Sequence, residues 1–542
     1  MEPRAVRARR RPFPGAAPAH LASYLAGEER LRPLYSAFPL ERPLRAPSFL
    51  TSAGPIAAET AGRIVALDRA AGEGGSGEDL PAAIGGPGTR FVLAGQQPGI
   101  LLGPCLAFYK MATLRALADS LSAETGGPVL PLFWIASHDA DREEIEGVVL
   151  PGPQGEPRKI RCPIEAASAR TQVGALSVEP DEWREFLDEV RAALPPSEFA
   201  GPILEDLAAL VTERTPLPLL FARTARRLGA GAGVLFFDGR DAEIDPRGRS
   251  LLAAAVREGP RVIEALRAGA DLLEKAGFAP PLPFDAARLP VFRLDGSVRV
   301  PLFLEGEGVR AEGEEAAPAG ALADRIESGS IRASPAAALR PVVQDAIFPS
   351  AGMVAGHSEL LYHAELGPLY ECLGVRRSPL VPRASFYLLS GRSEERLRKM
   401  GLRPEDLLEG KGPETGLGQI ETAARGFVER VRGETGELLA AFDRAAPGAV
   451  APDDAIRSRV AREAERTAER LLRLADKSGE NRRNQVHRMR NELFPGGKPQ
   501  ETVLSILHPL ARFGTEVLGA IAAEAAAGDG TPELLVLERD RT

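Results

Sequence analysis

The chain has 542 residues, 44% of them hydrophobic and 26% charged, with 67 Lys and Arg against 75 Asp and Glu for a formal net charge of −8. That length exceeds what one hydrophobic core usually organises, so two to four structural units are expected, and the composition excludes a wholly disordered chain. The acidic balance argues against nucleic acid as a partner, the Arg482-Arg483 pair notwithstanding. The longest plainly apolar run, Val129 to Ala136, falls far short of the roughly 20 residues of a membrane helix, which argues against a membrane partner.

In chain order, the arginine-rich opening from Met1 to Phe13 is not followed by the apolar stretch of a signal peptide, and a cytoplasmic location is expected. From about residue 90 to 390, short apolar runs alternate with longer helical stretches, the pattern of an α/β fold with a largely parallel sheet. Strands are expected at Arg90 to Ala94, Val129 to Ala136, Gly233 to Asp238, Pro290 to Leu294 and Val300 to Leu304. The residues just after such strands matter most, because open α/β sheets bind ligands at that edge. Gly72 to Gly88 and Gly306 to Gly320 read as exposed loops. After about residue 391 helical stretches take over, from Gly418 to Phe442 and from Asp453 to Phe494. In the second, Val460, Ala464, Thr467, Leu471 and Leu474 recur at heptad-like spacing, the seam of either an antiparallel hairpin or a dimer interface. A further helix is expected over Thr502 to Ala527, and a returning strand over Leu534 to Leu537. Cys105, Cys162 and Cys372 are widely separated and read as reduced core residues. A nucleophilic reading of Cys105 rests on its place near a helix start, where a thiolate is favoured.

Three segments carry chemistry. The first runs from Phe91 through Gly95, Gln96, Gln97, Gly99 and Gly103 to Pro104 and the helix Cys105 to Leu121. It reads as strand, glycine-rich turn and helix. The glycines permit close backbone approach, the helix start favours an anion, and the two amides can read polar ligand groups. Neither a Walker A loop nor a GxGxxG fingerprint is present. In the second, the buried strand ending at Ile135 runs into His138, Asp139 and Asp141. These residues suit Mg²⁺ or transition-metal binding or proton transfer, or else form a solvated turn with Asp139 capping a helix. The third, from Arg340 to Glu359, leads into a helix expected over Leu360 to Leu373, with Ser358 as its cap. There His357, Glu359 and Tyr362 offer a base, an acid and a hydroxyl. Asp238 and Arg383 stand at further strand ends, and Arg383 suits a carboxylate.

Several segments, taken together and in order, resemble the cysteine-adding BshC enzymes of bacillithiol synthesis. They are Tyr24-Leu-Ala-Gly-Glu-Glu, Gly95-Gln-Gln-Pro-Gly with Gly103-Pro and Tyr109-Lys, Phe133-Trp-Ile-Ala with Asp139-x-Asp and Glu143-Glu-Ile, Arg340-Pro-Val-Val-Gln-Asp, Glu359-Leu-Leu-Tyr, Val381-Pro-Arg-Ala-Ser, Leu493-Phe-Pro and Pro499-Gln-Glu. The resemblance covers essentially the whole chain. It implies a Rossmann-like core over residues 1–390 with inserted connecting segments near 150–230 and 240–330. A helical coiled-coil domain over 391–500 would pair two subunits, and a tail over 501–542 would return to the core. The implied reaction joins cysteine to glucosaminyl-malate through an amide, with ATP as the expected activator of the carboxylate and no metal ligand assigned. On this reading His138, Asp139, Asp141 and His357 are catalytic, while Gln96, Gln97, Gly99, Gly103, Gln344, Glu359, Tyr362 and Arg383 bind substrate. The chain departs from the family pattern at His138-Asp139-Ala140-Asp141, where an acidic residue and Asp-His-Asp are expected, and at Gly356-His357-Ser358-Glu359, where Gly-Pro-Gly-Glu is expected. His138 or His357 would then occupy the space of the displaced histidine. Two other readings are a diverged nucleotide-dependent ligase for another amino acid or thiol, and a non-catalytic scaffold that binds partners through its helical region.

Overall fold

Phe91-Val-Leu-Ala, Leu132-Phe-Trp-Ile and Leu235-Phe-Phe place apolar side chains on both faces of their strands, as a sheet covered on both sides requires. In the computed structural model, which describes residues 5–38, 54–72, 80–412, 417–446 and 454–539, these runs lie side by side in a five-stranded parallel sheet. Its strands are β1 (Arg90–Gln96), β2 (Val129–Ile135), β3 (Leu235–Asp238), β4 (Ser350–Ala355) and β5 (Leu380–Pro382), in the order β5-β4-β1-β2-β3. Register brings Gln96 beside Ile135, Ile135 beside Asp238, and Leu93 beside Met353. Strand alternation divides the core. Val92, Ala94, Phe133 and Phe236 join one layer with helix α1 (Leu106–Thr125), while Phe91, Leu93, Trp134 and Phe237 join the other with helices Pro246–Arg257 and Gly259–Lys275.

This order is Rossmann-like, and its direction of travel reverses between β1 and β4. A crevice opens at such a switch point, at the carboxyl ends of the strands.

The expected strands at 290–304 form, but outside the parallel sheet. Arg288–Asp295 and Val298–Glu305 make an antiparallel hairpin in a second five-stranded sheet. The link is only Gly296 and Ser297, with Gly296 at φ 58°, and a parallel pair would need a crossover of about a dozen residues. Gly306 to Gly320 is likewise not irregular, since it contains strand Gly308–Ala311 and opens helix Ala319–Glu327. Within Gly72 to Gly88, residues 80–85 are helical and residues 73–79 lie outside the described residues. The helix expected over Leu360 to Leu373 is two, α2 (His357–Ala364) and Gly367–Cys372, and Glu359 rather than Ser358 closes the start of the first by accepting from the Gly356 N–H at 2.7 Å.

Contacts divide the chain into one unit of Met1–Gly152, Pro157–Leu389 and Pro495–Thr542, and another of Pro153–Glu156 and Ser390–Phe494. In the second unit, helices Leu417–Ala445 and Asp454–Leu493 pack along each other, and Arg432 pairs with Glu465. Ala464 and Ala468 are buried there, whereas Val460, Leu471 and Leu474 of the expected seam stay exposed. The helix predicted over Thr502 to Ala527 is three, Gln500–Val503, Leu507–Phe513 and Glu516–Ala527, the last break falling at Gly514, φ 79°. Strand Pro532–Arg539 pairs antiparallel with Val6–Pro12, so the arginine-rich opening is an edge strand, while residues 1–4 lie outside the described residues. Among the described residues no helix is long and apolar enough to cross a membrane.

The C-terminal segment is tied to the sheet by one buried ion pair. Arg383 donates to Glu501 through Nη1 at 2.9 Å and Nη2 at 2.7 Å, and Glu501 also accepts from Ser385 Oγ and the Phe386 N–H. Replacing Glu501 by alanine would leave the guanidinium charged and unpaired in the interior. Denaturant unfolding of Glu501→Ala is expected to show a loss of about 3–5 kcal/mol, and a loss below about 1 kcal/mol would show that the pair does not anchor the tail.

Candidate functional site

At the carboxyl ends of β1, β2, β4 and β5 lies a cavity of about 1140 Å³. Eleven of the twelve residues singled out from sequence line it. The exception is Gln344, fully buried behind the wall, which accepts from Arg340 Nη1 at 3.0 Å. The glycine-rich turn and the histidine–aspartate cluster therefore face one hollow. Their direct link is Gln97 Nε2, which donates to Asp139 Oδ2 at 2.8 Å.

The turn achieves its shape by packing on itself. A Cβ at Gly99 would lie 2.9 Å from the Gly103 Cα, and Gly103 has φ 63°. Leu101 and Leu102 also have positive φ, 51° and 68°, and are the only non-glycine residues that do so among the described residues. The turn's amides are largely committed within the fold. Gly99 N–H donates to Gln97 O, Ile100 N–H to Ile145 O, Gly103 N–H to Ile100 O, and Cys105 N–H to Leu504 O. The expected cradle of open N–H groups for an anion is accordingly absent at these positions, and recognition falls to side chains. Cys105 is buried, and burial first, then Glu501, push its thiol up to about 12, which contradicts the thiolate reading.

Lys110, one turn into α1, is 2% exposed. Its ammonium donates to Gly95 O at 2.6 Å and Gln96 Oε1 at 3.0 Å, and pairs with Glu359 Oε2 at 2.5 Å. Burial works to raise the Glu359 carboxyl, but Lys110 and Arg340 prevail and hold it below its usual range. Arg340 also donates to Tyr362 Oη at 2.8 Å, while burial pushes that phenol up to about 12.

On the other side Arg299, from the antiparallel hairpin, donates to Asp139 Oδ1 at 2.8 Å and Pro335 O at 2.8 Å. Burial would raise the Asp139 carboxyl; Arg299, helped by the Gln97 donor, lowers it overall. No helix follows for Asp139 to cap, since the chain runs through residues 140–142 and a short turn at 143–145 into the strand Gly147–Pro151. Asp141 is exposed and accepts from the Glu143 N–H at 3.1 Å. Asp238 is paired to Arg240 at 2.6 Å, and Arg383 has both Nη atoms on Glu501, leaving Nε without a partner. Lys110, Arg299 and Arg340 line the cavity as well, and none of them was among the site residues expected from sequence. A lysine flanked by Tyr109 and Met111 in an otherwise apolar helical turn was the available signal for the first. Among the described residues no group of three or more His, Cys, Asp or Glu is placed to hold a metal ion.

The two histidines are neutral at physiological pH. Burial first, then Arg299, lowers His138 to about 3, and burial followed by Arg383 lowers His357 to about 4. His138 Nδ1, against Gly239, and His357 Nε2 are buried without hydrogen-bond partners. An unfolded histidine titrates near about 6.5. The stability these neutral rings contribute is therefore complete above that pH and declines as pH falls towards the folded values. Urea unfolding at pH 7.5, 6 and 5 should show a falling free energy, with a shallower fall in His138→Gln. Equal slopes would place the His138 pKa near its unfolded value.

Residues 82–384, more than half of the chain, match the family described as bacillithiol biosynthesis BshC, N-terminal Rossmann-like domain. Curated proteins named "Putative cysteine ligase BshC" are similar over most of their length. That of Symbiobacterium thermophilum is 28% identical over 541 residues, 94% of this chain and 96% of that protein. That of Geobacillus thermodenitrificans is 27% identical over 462 residues, 82% and 84% respectively, and that of Salinibacter ruber 27% over 445 residues, 80% of each. A Rossmann-like sheet with its cavity at the switch point agrees with that match, and the chain belongs to the BshC family of bacillithiol biosynthesis.

Proposed function

We propose that the protein is a ligase that forms the amide between the carboxylate of cysteine and the amino group of glucosaminyl-malate, with ATP activating the carboxylate. The observation that carries this reading is the joint presence, in one cavity at the strand ends, of ionised pairs and unpartnered polar atoms on Gln97, His138, His357 and Arg383. Buried polar groups without partners are rare and suit a polar ligand that completes them. The volume, about 1140 Å³, exceeds the usual range for one small-molecule site and leaves room for two reactants side by side.

Amide formation from a free carboxylate in water is uphill, and ATP would supply a good leaving group on the acyl carbon. The cavity's side chains Lys159, Lys498 and Arg340 suit its phosphates. The attacking amine must shed a proton, and His138 and His357 each carry an unpartnered ring nitrogen in the cavity wall to take it, as bases that burial weakens and that an anionic ligand beside them would strengthen. Asp141 would hold the amine in place, with Asp139 fixing Gln97 beside it. Gly99 and Gly103 shape the wall beside the reactants, and Glu359 and Tyr362 fix the opposite side. The departures from the family pattern at residues 138–141 and 356–359 are met by these two histidines.

Incubation with cysteine, glucosaminyl-malate and ATP, followed by mass spectrometry, should yield a condensation product lighter than the sum of its parts by one water, and none without ATP. Alanine at His138 or His357 should lower kcat by about 10²-fold or more. Product with a different amino acid but not with cysteine would replace the substrate assignment, and unimpaired turnover in both variants would remove the histidines from the chemistry.

We also infer that the helical unit is a coiled-coil domain that pairs two copies of the chain. Leu438, Phe442, Leu471 and Leu474 of its two long helices are exposed, 71%, 43%, 54% and 58% respectively. Light scattering should give twice the monomer mass, and Leu471→Glu with Leu474→Glu should halve it. A wild-type monomer would exclude the pairing.

A further inference from the structure

Gln96 and Gln97 are neighbours in sequence and both line the cavity, yet they are held by opposite ends of their amides. The side of Gln96 that faces Lys110 must be its oxygen, because an ammonium has three donors and no acceptor. Its NH₂ group is left without a hydrogen-bond partner among the described residues. The side of Gln97 that faces Asp139 must be its NH₂, because a carboxylate held low by Arg299 only accepts. Its oxygen is enclosed in the cavity wall without a partner. Neither amide can be flipped without setting donor against donor or acceptor against acceptor.

We infer that these two glutamines form a polarity-sorting pair for an α-amino acid, Gln96 donating to its carboxylate and Gln97 accepting from its ammonium. This deepens the reading of the cavity as a cysteine site and rests on it. The Lys110 and Asp139 anchors make the sorting durable. Lys110 has its three donors on Gly95, Gln96 and Glu359, and Asp139 accepts from Arg299, Gln97 and the Ala140 N–H. Each anchor is thus occupied, and its amide presents the remaining group. A ligand with both charges on one carbon meets a donor and an acceptor on adjacent residues. A ligand with only one of them leaves one amide unmatched, and a buried polar group without a partner weakens binding.

The anchors also allow clean substitutions. Gln96→Glu keeps an acceptor for Lys110 and exchanges the presented donor for an anionic oxygen, and Gln97→Lys keeps a donor to Asp139 and exchanges the presented acceptor for a cationic donor. Gln96→Met and Gln97→Met serve as uncharged controls. Dissociation constants would be measured by calorimetry on the full-length protein for cysteine, cysteamine, which lacks the carboxylate, and 3-mercaptopropionate, which lacks the ammonium. Serine, ethanolamine and 3-hydroxypropionate form a second set. Gln96→Glu is expected to weaken cysteine and 3-mercaptopropionate about tenfold or more while sparing cysteamine, and Gln97→Lys to weaken cysteine and cysteamine while sparing 3-mercaptopropionate. The methionine variants should repeat the pattern with smaller effect. Equal weakening of all three ligands in both variants, or the reverse pairing, would overturn the assignment. If the serine set shows the pattern and the cysteine set does not bind, the sorting pair stands and the cysteine reading fails. If wild-type protein binds no α-amino acid, both fail.

Discussion

The arrangement of the cavity depends on a single buried ammonium. Taking a lysine out of water costs several kcal/mol even after relaxation, so it is tolerated only where every donor finds an acceptor. Lys110 meets that condition through three partners drawn from two places: the Gly95 carbonyl and the adjacent Gln96 amide at the end of β1, and the Glu359 carboxylate at the start of α2. Glu359 in turn accepts from the Gly356 N–H that closes β4. One nitrogen therefore joins the ends of β1 and β4, the two strands between which the sheet order reverses. Because all three donors are occupied, Lys110 organises the site without offering a contact of its own.

A comparable clamp acts at the far wall. Arg299 belongs to an antiparallel hairpin inserted between β3 and β4, yet its guanidinium reaches Asp139 just beyond β2 and the Pro335 carbonyl, and lies over the Phe292 ring at 3.9 Å. The inserted sheet is thereby part of the site rather than a decoration on it. Asp139 is fixed from both sides, by Arg299 at one oxygen and Gln97 at the other. Charge in the cavity is consequently balanced locally, cation beside anion. Such a surface suits a ligand that itself carries both signs.

Which parts of this were legible in the sequence follows from how far each signal reaches along the chain. β1, β2 and β3 announce themselves because a strand buried on both faces is a continuous apolar run, and the polar residues that interrupt such runs at Gln96 and His138 fall at the ligand-binding edge. β4 was not legible as a strand. Ser350-Ala-Gly-Met-Val-Ala is mostly small, and it is buried because neighbours cover it rather than because it is strongly apolar. Arg299 was invisible for a different reason, since its partner lies 160 residues away and nothing local marks the pairing. In the long helix from Asp454 to Leu493 two stripes compete. Of the expected seam of Val460, Ala464, Thr467, Leu471 and Leu474 only Ala464 is buried, and it is joined by Ala468 rather than by the larger residues, because small side chains let the neighbouring helix approach closely.

The glycine-rich turn shows how a correct location can come with the wrong mechanism. Gly99 and Gly103 do permit a close approach, but of the turn to itself, and its amides close on Gln97, Ile145, Ile100 and Leu504. Two consecutive leucines in the left-handed region cost of order 1–3 kcal/mol each, and such strain persists only where surroundings over-determine it. Here Ile145 and Leu504 supply that constraint from distant segments, and both leucines are almost fully buried. The strain thus serves to turn the chain sharply from β1 into α1. That turn places Lys110 beneath the strand end and points Gln96 and Gln97 to opposite anchors. Recognition by side-chain amides rather than by main-chain N–H groups is the chemical consequence, because amides can be set as donor and acceptor side by side, whereas a ring of N–H groups offers only donors.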